Sequence, residues 1–245
     1  MSSVLDPKVV LVTGASSGIG RATALALSNA GAAVAVGGRR TDRLEALAQE
    51  APGEILVLDM DVSDPESVRK AVDRTVERFG TLDIVVNNAG IMLTGPVLDA
   101  DLAEWTRMVE TNLLGSMYTV HAALPHLLRS RGAVVQISST SGRISSAGAA
   151  VYSATKFGVN AFAEALRQEV TEQGVRVVLV EPGFVSTELA DHIADPNHRA
   201  AVKAMAESMR TLQPEDIAAA VVYAVTQPDH VAVNEILVRP TDQSR

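Results

Sequence analysis

Hydrophobic positions along the chain fall in short unbroken runs, not in alternation. VVLVTG from Val9, AAVAVGG ending at Gly38, EILVLD, LDIVVNNAG, GAVVQISS, VRVVLVEPG and NEILVRP are rich in β-branched residues and stop at turn-forming ones. A strand with one wet face needs a polar residue at every second position, so unbroken runs are what strands covered on both faces require. Segments of helical length separate them, the first from about Ile19 to Asn29. The pattern predicts an α/β fold in one domain spanning 1–245, with a central, mostly or fully parallel seven-stranded sheet flanked by helices. Right-handed crossovers then place the loops after the strands on one edge, where ligands bind. Pro125 is expected to interrupt or bend the helix through Tyr118, and Pro182 to follow the sixth strand into a loop.

Composition narrows the functional classes. The 245 residues are 47% hydrophobic, enough for one substantial core. The net charge is -8, acidic residues are dispersed, and no Lys/Arg run exists to track a phosphate backbone, so a nucleic-acid partner is not expected. With no cysteine, disulfides, thiol nucleophiles and thiolate-held metals are excluded. His121 and His126 are five apart and miss the HExxH spacing, and His192, His198 and His230 fall in loop-like segments; no metal site is expected. MSSVLDPK lacks a signal-peptide pattern and no apolar run is long enough for a membrane span, so the expected setting is cytoplasmic.

TGASSGIG, from Thr13 to Gly20, joins the first strand to the first helix. There Gly14 can turn the chain, Gly18 can bring backbone close to a diphosphate, and Gly20 can let helix and sheet approach. Helix-end amides would face the diphosphate, with Ser16, Ser17 and Ile19 completing the loop. The spacing is GxxxGxG and not GxGxxG, and a tight turn that binds nothing is the alternative; the strand-loop-helix context favours a Rossmann-type dinucleotide site. The second strand ends at Gly38, followed by Arg39 and Arg40 where an acidic residue would select NAD. A guanidinium binds phosphate bidentately, so Arg39 favours NADP(H), the alternative being a solvated pair.

VYSATKFG places Tyr152 and Lys156 one helical turn apart on one face. Taken singly, Tyr and Lys at this spacing are ordinary in a helix, a serine after a strand more often makes a turn bond, and Asn112 could be a helix cap. The combination of TGASSGIG, Asp61-Val62, NNAG at 87–90, Asn112 in TNLLG, ISS ending at Ser139, YSATK and PGFVST resembles the short-chain dehydrogenase/reductase family over essentially the whole chain. Within it, WTRMVETNLLGSMY, AALPHLLRS, YSATKFGVNAFAEALRQEV and RPTDQ look like the NADP-dependent clavaldehyde (clavulanate) and 3-hydroxy acid dehydrogenases.

The resemblance implies that Tyr152 is the acid/base, that Lys156 lowers its pKa and contacts the nicotinamide ribose, that Ser139 orients the carbonyl, and that Asn112 holds a relay water. An ammonium favours phenolate, and Ser139, ending the fifth strand, would enter the same pocket and donate to the developing oxyanion. The resemblance also implies cofactor contacts at Asp61 and Val62 around adenine, at Asn88, Ala89 and Gly90 beside the ribose, and at Pro182, Gly183, Val185 and Thr187 near carboxamide and diphosphate. The hydride would be the pro-S one.

Family pockets are walled by the loops after the fourth, fifth and sixth strands. Here those supply Met92, Leu93, Ile144, Val151, Phe184 and Leu189, an apolar wall with Ser139 and Ser141 inside it. Arg143 and His192 could meet a carboxylate, although Arg143 reads more readily as surface. The segment 186–212, with its LADHIADPNHRAAVKAM stretch, is a plausible closing lid or a mobile surface helix. The expected activity is NADP(H)-dependent interconversion of a small-molecule alcohol and an aldehyde or ketone. The alternatives are a carrier-protein-linked 3-oxoacyl reductase docking through Arg129 and Arg131, and a non-catalytic NADP-binding regulator. The long helices around 105–128 and 159–170 and the last strand imply a homotetramer or homodimer, by resemblance.

Overall fold

The computed structural model describes residues 4–5, 7–98 and 100–244. The chain runs β1 (Val9–Thr13), α1 (Gly18–Asn29), β2 (Ala33–Gly38), α2 (Thr41–Glu50), β3 (Ile55–Asp59), α3 (Pro65–Phe79), β4 (Ile84–Asn87), α4 (Leu102–Met108), a π-helical segment (Val109–Leu114), α5 (Gly115–Ser130), β5 (Ala133–Ile137), α6 (Ala150–Val170), β6 (Arg176–Pro182), α7 (Pro196–Glu207), α8 (Pro214–Val225) and β7 (Glu235–Val238). All the strand pairs are parallel, in the order β3-β2-β1-β4-β5-β6-β7.

Strand β1 shows why its sequence does not alternate. Every position is buried, Val10 and Val12 entering one apolar layer and Val9 and Leu11 the other. Strand β6 divides its residues likewise, Val178 and Val180 against Val177 and Leu179. The first layer is completed by Leu27 of α1, Leu44 and Leu47 of α2 and Ile217 and Val221 of α8. The second takes Val68 and Val72 of α3, Val120 and Leu127 of α5 and Val159 and Leu166 of α6. Each such side chain, fully buried, contributes about 1.5–3 kcal/mol before conformational entropy is set against it. Edge strand β7 is covered less completely and alternates in exposure.

Two local expectations are corrected. Pro125 does not interrupt α5, which continues from Gly115 to Ser130. The ring removes one amide donor at an exposed position, where the freed carbonyl is open to solvent, while buried Val120, Ala123 and Leu127 hold the helix to the sheet. The irregularity lies upstream, in the π-helical turn over 109–114. Pro182 does not follow β6; it is the strand's last residue, in register with Val238, at an end where its missing N–H breaks no interior ladder.

Strand order reverses between β1 and β4, so the loops leaving their C-terminal ends diverge and leave a crevice there. Among the described residues no helix is long and apolar enough to cross a membrane.

Candidate active site

The crevice begins with two loops that touch. Gly14, at φ 64°, turns the chain out of β1 so closely that an added Cβ would lie 2.7 Å from Ala89 Cα; Gly18, at φ 53°, starts α1. Gly20 lies behind the crevice, where a side chain would collide with the Asn88 amide. Asn88 Nδ2 donates to the carbonyls of Thr13 (3.0 Å) and Gly14 (3.1 Å), while Thr13 Oγ1 accepts from the amides of Asn88 (3.0 Å) and Ala89 (3.1 Å). These bonds lock the first and fourth strand ends together. Helix α3 has its N-terminus capped by the Asp64 carboxylate, but Ser17, at the N-cap of α1, makes no side-chain cap bond. The first amides of α1 therefore keep their capacity for an anionic ligand.

The opposite wall comes from β5, α6 and the segment after β6. Ser139 lies two residues beyond the end of β5 and not within it, because there the chain turns into a 3-10 helix (Thr140–Gly142) whose N-cap it forms. Its Oγ accepts the Ser141 amide at 3.0 Å and lies near enough to the Tyr152 hydroxyl to favour its ionised form. Tyr152 and Lys156 sit in the first turns of α6, 7% and 6% exposed, and the Lys156 Nζ donates to the Ile137 carbonyl at 2.9 Å.

The chain's own groups act on the Tyr152 phenol in opposite senses. Burial dominates, and Tyr152 is pushed up to about 12 despite the nearby Ser139 hydroxyl. The Nζ lies 5.8 Å from the ring centroid, turned to Ile137, and burial pushes Lys156 down to about 8. Ser139 is the group of this set that favours the phenolate.

Asn112 occupies the π-helical turn, 2% exposed, and does not line the cleft. Its Oδ1 accepts the Ile91 amide at 2.8 Å, and its Nδ2 donates to the Ile91 carbonyl at 2.9 Å and to Thr155 Oγ1 at 3.2 Å. With both ends of the amide engaged, the side chain ties the loop after β4 to α6. A relay through this residue would use its main chain.

The resulting cleft of about 690 Å³ gathers most of the expected residues. Gly14, Ser16, Ser17, Ile19, Arg39, Arg40, Asp61, Val62, Asn88, Ala89 and Gly90 line one half; Ser139, Tyr152, Lys156, Pro182, Gly183, Val185 and Thr187 line the other. Gly18 faces an adjoining hollow with Ser17 and Thr187. Met92, Ser141, Phe184, Leu189 and His192 line the substrate side. Asp61 has one oxygen engaged by Ser63 (2.7 Å from Oγ, 3.0 Å from N) and the other 4.0 Å from Arg39. Partial burial raises its pKa, but the Ser63 bonds and the Arg39 charge outweigh this and leave it lowered. His192 is lowered by burial and next by the Arg40 charge.

Arg143, Ile144, Leu93 and Val151 do not line the cleft. Arg143 is committed elsewhere, with Nε donating to the fully buried Glu181 at 2.6 Å and Nη2 paired with Glu235. A buried carboxylate without its cation is strongly destabilising, so this arginine stays with Glu181. Ile144 points to solvent, 50% exposed, while Leu93 and Val151 pack with Met108 and Trp105.

Sequence reading marked the 186–212 segment but missed several of its lining residues and its ties to the rim. Thr111, Val202, Lys203, Ala206 and Met209 also line the cleft, and Glu188 binds Arg40 and Arg43 across 148 and 145 residues. His198, expected in a loop, lies in α7, and its ring nitrogen accepts from or donates to Thr94 Oγ1 at 3.0 Å, according to its tautomer. No spacing rule connects residues so far apart; only the position of Glu188 directly after the PGFVST motif offered a signal. Among the described residues no group of three or more His, Asp or Glu is placed to hold a metal.

The sequence profile of the family described as short chain dehydrogenase matches residues 8–198. An uncharacterized oxidoreductase of Staphylococcus aureus is 40% identical over 240 residues, covering 97% of this chain and 99% of the relative. Among solved structures, the closed form of serine dehydrogenase complexed with NADP+ superposes with a TM-score of 0.91 at 33% identity, over 97% of this chain and 96% of that one. An alcohol dehydrogenase from the archaeon Thermococcus sibiricus, complexed with 5-hydroxy-NADP, gives 0.85 at 32%, over 97% and 98%.

Proposed function

The chain belongs to the short-chain dehydrogenase family, and from that premise we propose that it is an NADP(H)-dependent oxidoreductase interconverting an alcohol with an aldehyde or ketone, with Tyr152 as acid/base. The observation that carries the reading is the meeting of Ser139, Tyr152 and Lys156 in one cleft with the loop of α1. The residues fit a dinucleotide phosphate: α1 lacks a side-chain cap, Ser16 and Ser17 flank it, and Arg40 lies against both serines. The NADP bound by the serine and alcohol dehydrogenases supports this choice of cofactor. When bound, the nicotinamide supplies or accepts the hydride.

The chain's own groups handle the proton. In reduction, the Ser139 hydroxyl donates to the carbonyl oxygen, and Tyr152, kept protonated by burial, donates the proton as that oxygen gains charge. In oxidation Tyr152 first gives up its proton to solvent, an ionisation opposed by burial and assisted by Ser139, and the phenolate then takes the alcohol proton as the hydride leaves for the nicotinamide. Lys156, anchored on Ile137, holds its ammonium where the nicotinamide ribose would lie. The region 186–212 acts as the cap over the substrate.

For the substrate we favour a small carbonyl compound with an apolar body, because Met92, Phe184, Leu189, Val202 and Met209 form the wall. With Arg143 committed to Glu181, recognition of a carboxylate falls to His192 and to Lys203, itself paired with Asp191 at 2.5 Å. The serine dehydrogenase likeness favours hydroxy acids and the alcohol dehydrogenase likeness neutral alcohols. Arg129 and Arg131, invoked for carrier docking, end α5 at the sheet edge where β5 begins, opposite the cleft. A homodimer or homotetramer would cover the exposed Leu102, Val109 and Phe157 along α4 to α6.

The test is a fluorescence titration with NADPH and NADH, followed by a panel of hydroxy acids and neutral alcohols with their carbonyl forms. Tighter binding of NADPH with turnover of one class is the expected result; binding of neither dinucleotide overturns the reading.

A further inference from the structure

Two arginines, Arg39 and Arg40, line the cleft beside the loop after β1, a third, Arg43, stands behind them, and each already faces a carboxylate. Arg39 lies 4.0 Å from Asp61. Arg40 presses against the loop after β1, its Nε donating to Ser16 Oγ at 3.1 Å and its Nη2 to Ser16 Oγ at 2.9 Å and Ser17 Oγ at 2.8 Å. Its remaining nitrogen, Nη1, donates to Glu188 Oε2 at 2.9 Å. Arg43, which sequence motifs left aside, reaches the same carboxylate, Nη1 lying 2.8 Å from Oε1 and 2.9 Å from Oε2. Glu188 is therefore clasped between two guanidiniums, and their hydrogen bonds, first from Arg40 and then from Arg43, hold its pKa below the usual range.

Glu188 also opens the short 3-10 turn Glu188–His192, whose Leu189 and His192 line the substrate side. Helix α7 is fastened to the body through His198 to Thr94, and Lys203 pairs within the cap with Asp191 of the same first turn. One carboxylate thus joins the phosphate-binding rim to the first turn of the cap.

We infer that Glu188 is a specificity-determining residue that competes with the cofactor's 2'-phosphate for Arg40 and Arg43, so that phosphate binding releases the first turn of the cap. This rests on the NADP(H) reading above. A phosphate monoester offers three oxygens and close to two negative charges against the carboxylate's two and one, so it takes both guanidiniums more strongly. Two anions held on the same pair repel one another, so the carboxylate leaves. A dinucleotide without the 2'-phosphate leaves the clasp intact. Glu188 then weakens NADPH binding selectively and transmits its arrival to the substrate side.

The experiment compares wild type with Glu188→Gln in equilibrium titrations of NADPH, NADH, 2',5'-ADP and ADP. Removing one exposed ionic partner is expected to tighten NADPH and 2',5'-ADP roughly three- to five-fold and to leave NADH and ADP unchanged. Equal changes for both kinds of nucleotide, no change, or weaker NADPH binding overturn the inference. Amide hydrogen exchange over 188–192 provides the second readout. In wild type 2',5'-ADP should speed exchange there relative to ADP, and in Glu188→Gln the two nucleotides should give the same rates; equal rates in wild type overturn the release. Failure of the cofactor reading is distinguishable: wild type and variant would then both bind NADH as tightly as NADPH.

Discussion

The two halves of the cleft are held by different kinds of bond. On the dinucleotide side, Asn88, Thr13 and Asn112 join strand ends through main-chain groups, and the atoms involved are wholly or partly buried. On the cap side, backbone bonds between 184–186 and Leu212 close the base, and the outer ties run through long side chains: Glu188 on Arg40 and Arg43 and His198 on Thr94, with Lys203 on Asp191 inside the cap. Those ionic partners are about half exposed, with side-chain exposures of 41% to 54%. Buried bonds to backbone resist water and salt, whereas exposed ion pairs contribute about 0–1 kcal/mol each. The strand edge that carries the proposed proton-transfer groups is thus held by buried bonds, whereas the outer ties of the 186–212 segment are exposed and individually weak.

The sharpest test of the strand-edge half is Tyr152→Phe. Removing the proton donor without changing packing should lower kcat by about two to four orders of magnitude and leave NADPH affinity within a factor of about two; turnover near wild type would remove Tyr152 from the reaction. Next is Asn112→Ala. It strands the buried Ile91 amide and carbonyl, and denaturant unfolding should show a loss of about 2–4 kcal/mol. A smaller loss than that of a cap substitution would reverse the comparison.

Lys156 tests what the strand-edge half costs. Its folded pKa of about 8 lies below the ordinary 10.5, so between these values the unfolded chain binds the extra proton and stability rises with pH. Relative to Lys156→Met, wild type should gain about 2–3 kcal/mol of unfolding free energy between about pH 7 and pH 10. A pH-independent difference would show that the ammonium is not desolvated. Tyr152 works in the opposite sense: its raised value makes stability fall as pH climbs from 10 toward 12.

The smallest effect belongs to the cap. His198→Ala removes one partly buried hydrogen bond to Thr94, and should change stability by less than about 1 kcal/mol while raising the KM of the carbonyl substrate a few-fold. A larger effect on kcat than on KM would place His198 with the chemistry instead of with closure.

Strand and loop signals were legible because they are local. VVLVTG lies in β1 and AAVAVGG ends with β2 at Gly38, since covered strands and tight turns are specified within a few residues. Ser139, Tyr152 and Lys156 were legible as a set only through the resemblance of the combined motifs, and the turn and first helical turns between them bring all three into one cleft. Arg143 was not. Its partners Glu181 and Glu235 are 38 and 92 positions away, and only the β6–β7 edge brings them to it.

By itself, then, the sequence determined the parallel sheet and the switch-point crevice through short-range periodicity, and its motifs marked by resemblance the residues proposed to move a proton. Tertiary structure decided how those groups are tuned and which are free to meet a ligand. Burial raises Tyr152 and lowers Lys156, Ile91 occupies the Asn112 amide, and Glu181 takes Arg143 out of the pocket. Desolvation and pairing depend on neighbours that the chain brings together only when its distant segments pack, and no local pattern encodes them.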